Sequence, residues 1–354
     1  MSTLQSPRTS GLVSDLTAGK LPRFAPALAA VIALGIGALA ALLIGGGLLA
    51  TVLFAAVAFL VVLPAWYAVV EGRRAAVDRL VTCLVWSALA VALVPLVSLL
   101  WTVVHHGARQ LDATFLGQDA FITALHQPTG ILHAIVGTLL ITLTAAVMSV
   151  PLGIFAAIYL IEYGAGSKLA AAIRFLVDVM TGIPSIVAGL FAFALFTLLF
   201  GPAYRSGLAG AAALSLLMVP IVVRSTEEML RLVPNELREA AYALGTPKWR
   251  TIVKVVLPTA LGGIVTGVTL ATARVVGETA PLLLTAAITT KVNLNVFDGF
   301  MTTLPVMVYS SQAKGHPEDF DVAWGAALVL VLIVLVLNIV ARIVGKIFAP
   351  KTGH

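Results

Sequence analysis

Eight apolar stretches, each long enough to cross a bilayer, leave this chain very few folds. A membrane-spanning helix needs about 20 predominantly apolar residues. Residues 26–44, 48–70, 80–104, 131–161, 170–200, 208–230, 256–290 and 324–348 all qualify. In lipid every backbone N–H and C=O must be satisfied internally, so a spanning segment is a helix or a strand of a closed barrel. The ten-residue alternating units of a barrel strand are absent. Hydrophobic residues make up 60% of the chain and charged ones 11%, where a soluble domain carries about 25% charged residues. Disorder needs the opposite bias. The expected fold is an all-α integral membrane protein with about eight transmembrane helices. Gly45, Gly46 and Gly47 predict a tight hairpin between the first two spans. The stretch 26–44 has no convincing cleavage site and leads straight into another span, so it reads as a helix of the protein and not as a cleaved signal peptide.

The cations set the orientation. With the N-terminus inside, seventeen of the 22 Lys and Arg fall on the inner side, among them Arg73, Arg74, Arg79, Lys168, Arg174, Arg224, Arg231, Arg238, Lys248, Arg250 and Lys254. Arg109, Arg205, Lys291 and Lys314 fall outside, and Arg274 lies inside a span. This asymmetry places both termini in the cytoplasm of a multi-pass cell-membrane protein. It also accounts for the net charge of +6 without nucleic acid. The pairs Arg174/Asp178 and Arg224/Glu228, one turn apart near inner helix ends, read as interfacial anchors. The outer loops 105–130 and 291–323 read as solvated connectors or as a docking face for an external partner. Residues 1–25, rich in Ser, Thr, Pro and Gly, read as a flexible cytoplasmic tail, and 349–354 as a second one.

Several chemistries are excluded or unsupported. No Gly-x-x-x-x-Gly-Lys-Ser/Thr stretch occurs, so the chain has no P-loop with which to hydrolyse ATP. The six histidines show no metal-ligand spacing. Cys83, the one cysteine, reads as a small packing residue in an apolar run. No enzyme signature is visible, and no metal or cofactor is expected on this chain.

The cytoplasmic loop 231–255 is the most informative segment. Pro234 and Asn235 can start a helix, and 236–244 are good helix formers. Gly245 predicts a stop, because glycine tolerates the left-handed conformation. Thr246 then reads as the cap of a second helix with Pro247 at its first position. Leu237, Ala240, Ala241 and Leu244 share one face at spacings of three and four. Such a short, small-faced helix flanked by Arg and Lys suits a groove on a soluble partner.

The run Glu239-Ala240-Ala241, then Gly245, then Val255, then Leu257-Pro258 resembles the EAA loop of ABC importer permeases, with Val255 where the family has Ile. The resemblance implies coupling helices that dock onto a cytoplasmic ATPase. ATP and Mg would then be used by that partner and not by this chain.

The seventh span carries Arg274 about 24 Å along the helix from Pro258, which predicts a position near mid-depth. A charge there costs at least about 2.5–3.5 kcal/mol on insertion scales, so it is expected to face the protein interior with partners. Glu278, four residues on, is expected one helical turn away on the same face. Gly277 and Pro281 weaken the helix at this point. Gly182, Pro184 and Ser185 interrupt the fifth span in the same way. Broken helices at membrane depth offer backbone N–H groups to anions, and an added cation suits a small oxyanion. A structural Arg–Glu bridge is the other reading of Arg274 and Glu278.

Residues 181–189 and 277–283 resemble segments of phosphate-specific permeases of the PstA type. The resemblance covers 80–348 and implies a six-helix ABC type I importer permease core, with the hairpin 26–70 as an addition. It implies a translocation pathway that includes Arg274, Glu278, Gly277, Thr279, Pro281, Gly182, Pro184 and Ser185. Implied partners are a PstC-type second permease subunit, two copies of a cytoplasmic ATPase and an extracytoplasmic phosphate-binding protein, all beside membrane lipid. The alternatives are the same architecture carrying sulfate or molybdate, or an ion-coupled secondary transporter.

Overall fold

The structure is a computed structural model that describes residues 21–22, 24–120 and 130–348. Most of the two expected tails, together with His126 and His354, lies outside the described residues. Two compact units emerge, one running to Leu100 and one from Trp101 onward.

In the first unit, α1 (Ala25–Ile44) and α2 (Leu48–Val70) form the expected hairpin. Ala25, Ala29, Ala33, Gly37 and Ala41 recur every four residues, so they make one small-residue face, and it is buried. Gly45 takes φ 72°, and the Gly46 N–H bonds back to the Ala41 carbonyl at 2.8 Å, closing the end of α1. Cys83, in the N-terminal half of α3 (Arg73–Gly107), packs with Ala29, Leu63, Tyr67 and Ala76. Arg79 lies over the Tyr67 ring, 5.1 Å from its centroid.

In the second unit, a 3-10 turn (Ala108–Gln110) and α4 (Ala113–Gly117) precede α5 (Leu132–Ile158). A π turn (Tyr159–Tyr163) carries α5 on. Then come α6 (Lys168–Thr181), α7 (Ser185–Phe200) and α8 (Gly207–Arg231). The helix α8 is the centre of the bundle. Its Leu214, Met218 and Val222 meet Ile141 and Ala145 of α5 and Ala188 of α7 in one cluster. After α9 (Asn235–Ala243), the segments α10 (Lys248–Thr251), a π turn (Ile252–Val256) and α11 (Leu257–Val276) run on as one continuous helix. Pro258 explains that π turn. It has no N–H and its ring crowds the carbonyl four residues back, so the ladder slips by one residue. Short α12 (Ala280–Thr285), α13 (Leu304–Lys314) and α14 (Pro317–Phe348) complete the chain.

Among the described residues, seven helices are long and apolar enough to cross a membrane, and an eighth span exists if the pair α6–α7 counts as one. The expected span 170–200 is therefore not a straight helix. It bends by 110° at Gly182–Pro184, because Pro184 disfavours the helical conformation in the residue before it. The expected span 256–290 is also corrected: its helix stops at Val276. The loop 291–323, expected outside, is not a simple solvated connector. Leu304 and Met307 of α13 are buried with Ile131, Ala134, Ala326 and Val329.

Candidate functional site

The EAA-like loop folds largely as its residues dictate. The helix α9 ends with Gly245 at φ 72°, inside the left-handed region that glycine tolerates. The Thr246 N–H returns to the Ala241 carbonyl at 3.2 Å and the Gly245 N–H to Tyr242 at 2.9 Å. Two expectations change. The Thr246 hydroxyl does not cap a second helix; it donates to the Ala241 carbonyl at 2.6 Å and pairs with the Thr251 hydroxyl at 3.0 Å. The second helix is also not separate, because α10 is the N-terminal end of the long α10–α11 helix. Of the predicted apolar face, Ala241 is buried, whereas Leu237, Ala240 and Leu244 are exposed, Leu244 at 84%. Glu239 and Pro258 are exposed, and Leu257 packs into the inner core. Leu232, Tyr242 and Trp249 are exposed as well. The hairpin thus presents large apolar side chains among Glu239, Lys248 and Arg250.

The charges around this hairpin pair differently from the expectation. Arg174 does not pair with Asp178, nor Arg224 with Glu228. Instead Arg224 contacts Asp178 on α6 and Glu227 on its own helix. Arg174 and Arg231 also reach Glu227, at 3.4 and 2.6 Å. The side chain of Glu227 is only 2% exposed. Arg224 and Arg231 reach the buried acid from its own helix at spacings of three and four, and the packing of α6 against α8 adds Arg174 as the third guanidinium. A second buried acid, Glu162 on the first π turn, holds Arg238 of α9 at 2.9 Å. Neither Glu162 nor Arg238 stood out in the sequence, since their pairing spans 76 positions. An acid at the C-terminal end of an apolar span is the only local hint.

The two interrupted segments meet inside the bundle. A Cβ on Gly189 of α7 would lie 2.6 Å from the Pro281 Cα of α12, so the two backbones touch where a side chain does not fit. Ile183, at the α6–α7 break, packs on the cluster that holds Ala271 and Val275 of α11 and Leu282 of α12. The helix α7 begins at Pro184 with no side-chain cap, which leaves its first backbone N–H groups to other acceptors. Gly182 and Pro184 are exposed, and Ser185 is half-buried.

Arg274 is corrected in two respects. It occupies the last turn of α11, not a point partway along a longer helix, and it is exposed on the chain's own surface. It makes no ion pair with Glu278 among the described residues. The helix ends at Val276, with Gly277 as its cap, so the four-residue helical spacing never reaches Glu278. Glu278 and Thr279 sit half-buried between α11 and α12, and Pro281 is buried. Beyond α12 the chain folds back in an ordered loop. The Met301 N–H donates to the Ala286 carbonyl at 3.0 Å, and the Leu304 N–H to the buried Thr138 hydroxyl at 2.8 Å. The Thr302 hydroxyl donates to the Thr289 carbonyl at 2.8 Å.

A polytopic helical bundle with interrupted segments in contact at its centre and an apolar helical hairpin at one end is a membrane permease core. Residues 149–354 match the family described as binding-protein-dependent transport system inner membrane component. The chain belongs to that family, in the branch of PstA-type phosphate transport permeases. It is 44% identical over 274 residues to phosphate transport system permease protein PstA 1 of Mycobacterium tuberculosis (strain ATCC 25618 / H37Rv), covering 77% of this chain and 88% of that protein. It is 43% identical over 258 residues to phosphate transport system permease protein PstA of Yersinia pestis, covering 72% and 84%. Among solved structures, an inward-facing form of the MetNI methionine ABC transporter superposes with a TM-score of 0.52 at 19% identity, covering 62% of this chain and 96% of that one. That likeness concerns the fold alone.

Proposed function

We propose that this chain forms half of the translocation pathway of an ATP-driven importer of inorganic phosphate. The observation that carries the reading is the contact between the two interrupted segments, in a chain with PstA relatives that also holds, in the last turn of α11, the exposed Arg274 with no ion pair among the described residues. An unpaired guanidinium is a bidentate donor for a phosphate oxyanion. Uncapped N–H groups at the start of α7 are a second source of donors. Gly182, Pro184 and Ser185 from one break, and Gly277, Glu278, Thr279 and Pro281 from the other, line the passage with Arg274.

The importer works with a PstC-type permease, two copies of a cytoplasmic ATPase and an extracytoplasmic phosphate-binding protein. ATP and Mg are bound and consumed on the ATPase. The exposed apolar hairpin around Glu239, Ala240 and Gly245 docks there, on the side that holds most of the cations and both termini. The six spans in 80–348 form the permease core, and the hairpin 26–70 is an accessory to it.

Co-purification with these partners, followed by labelled phosphate uptake into proteoliposomes, tests the assignment. Uptake that requires ATP and resists excess sulfate and molybdate is expected. Uptake driven by an ion gradient in vesicles free of ATP sinks it, and competition by sulfate reassigns the cargo.

Gly245 supplies a prediction about the hairpin. A Cβ there meets nothing within 4 Å, so a substitution acts through backbone strain alone. Valine in the left-handed region costs about 1–2 kcal/mol, whereas asparagine is tolerated. Gly245→Val is expected to cut ATP-coupled uptake about tenfold, a change that corresponds to about 1.4 kcal/mol. Gly245→Asn stays near wild type, and immunoblots of the membrane fraction show equal insertion of both.

A further inference from the structure

Arg238 spends every hydrogen-bond donor it has. Its Nε and Nη2 donate to one oxygen of Glu162, at 3.1 and 2.9 Å. Nη2 also donates to the Leu230 carbonyl at 2.9 Å, and Nη1 to the Val233 carbonyl at 2.7 Å and the Asn235 side-chain oxygen at 3.3 Å. A guanidinium has five N–H donors in a rigid planar fork, and all five are satisfied here. The side chains of Arg238 and Glu162 are 13% and 5% exposed. Three elements converge on this one group: the π turn that follows α5, the last turn of α8 through the Leu230 carbonyl with Val233 just beyond it, and α9 itself.

The far side of the hairpin is built differently. Gly245 joins α9 to α10 in open space, and α10 passes into α11 through a π turn. The α9 flank of the hairpin is therefore tied to the bundle through side-chain hydrogen bonds, whereas the α10 flank is tied through the continuous helix it shares with α11.

We propose that Glu162 and Arg238 are positioning residues that make α9 move as one body with the inner ends of α5 and α8, so that displacement of the hairpin reaches the pathway. The inference rests on the coupling role given to the hairpin above. A buried ion pair adds little net stability relative to a well-packed apolar pair, but loss of one partner leaves a buried charge unpaired. The clamp is thus a device for rigidity more than for stability. An ammonium cannot reproduce it, because Lys offers three donors on a flexible stem and no planar fork. A force path that loses its stiff link wastes part of each stroke.

The test is made on the assembled complex in proteoliposomes with the phosphate-binding protein present. Labelled phosphate taken up and ATP hydrolysed are measured together. The variants are Glu162→Gln, Arg238→Lys and the charge-free pair Glu162→Leu/Arg238→Met, which carries no buried unpaired charge. ATP hydrolysis is expected to stay within about twofold of wild type while phosphate moved per ATP falls about tenfold, within the usual range of coupling between sites. A paired variant that assembles and keeps the wild-type ratio overturns the inference, even if the single variants fail to assemble. A wild-type complex that imports phosphate without ATP removes the coupling reading itself, which is a different failure.

Discussion

Arg274→Gln is expected to reduce phosphate uptake by about 10- to 100-fold, the range set by losing a charge-assisted hydrogen bond worth roughly 1.5–3 kcal/mol. The complex is expected to assemble normally. Arg274 makes no ion pair within the described chain and lies exposed in the last turn of α11, so its replacement breaks no ion pair among the described residues. The favourable effect of a cation at a helix C-terminus is only about 0.3–1 kcal/mol. A large transport defect with an unchanged melting temperature therefore separates a pathway role from a structural one. The same geometry predicts that Glu278→Gln and Arg274→Gln act independently on stability. A double-mutant cycle on the thermal unfolding of the complex is expected to give no coupling between them. If uptake and phosphate-stimulated ATP hydrolysis both survive Arg274→Gln, the pathway assignment is wrong.

Gly189→Val has the second large effect. The added Cβ alone would meet the Pro281 Cα at 2.6 Å and the Pro281 carbonyl oxygen at 3.2 Å. The neighbour has little freedom to retreat. Leu282 is held in the central core, and the Thr285 carbonyl accepts the Ser206 N–H at 3.0 Å. Overpacking of this kind costs about 1–3 kcal/mol, and here the strain falls on the contact between the two interrupted segments. Uptake is expected to fall at least about tenfold, the change that 1.4 kcal/mol produces, with Gly189→Ala intermediate because it adds the same Cβ without branches. Wild-type uptake in Gly189→Val would detach this contact from the transport path.

The spans were legible because membrane insertion depends on composition averaged along the chain. The boundaries of α1, α2 and α8 differ from the sequence expectation by one or two residues at most. The turn at Gly245 was legible for a local reason too, since a left-handed residue needs only its own backbone. The interrupted segments were visible as Gly and Pro, but their consequences were not. A proline inside an apolar stretch can kink, stop or slip a helix. At 184 it turns the chain by 110°, and at 258 it is absorbed in a π turn. Which happens depends on what packs alongside.

The amino-acid sequence alone determined that this chain carries many helices apolar enough to cross a membrane and where a left-handed turn falls, because each of these follows from neighbours along the chain. The tertiary structure decided which acid holds which arginine. It joined Glu162 to Arg238, brought Arg174 of α6 to Glu227 and Asp178 of α6 to Arg224, and left Arg274 without an ion pair among the described residues. An ion pair forms across a few ångströms of space, and only the packing of helices far apart in sequence establishes that distance.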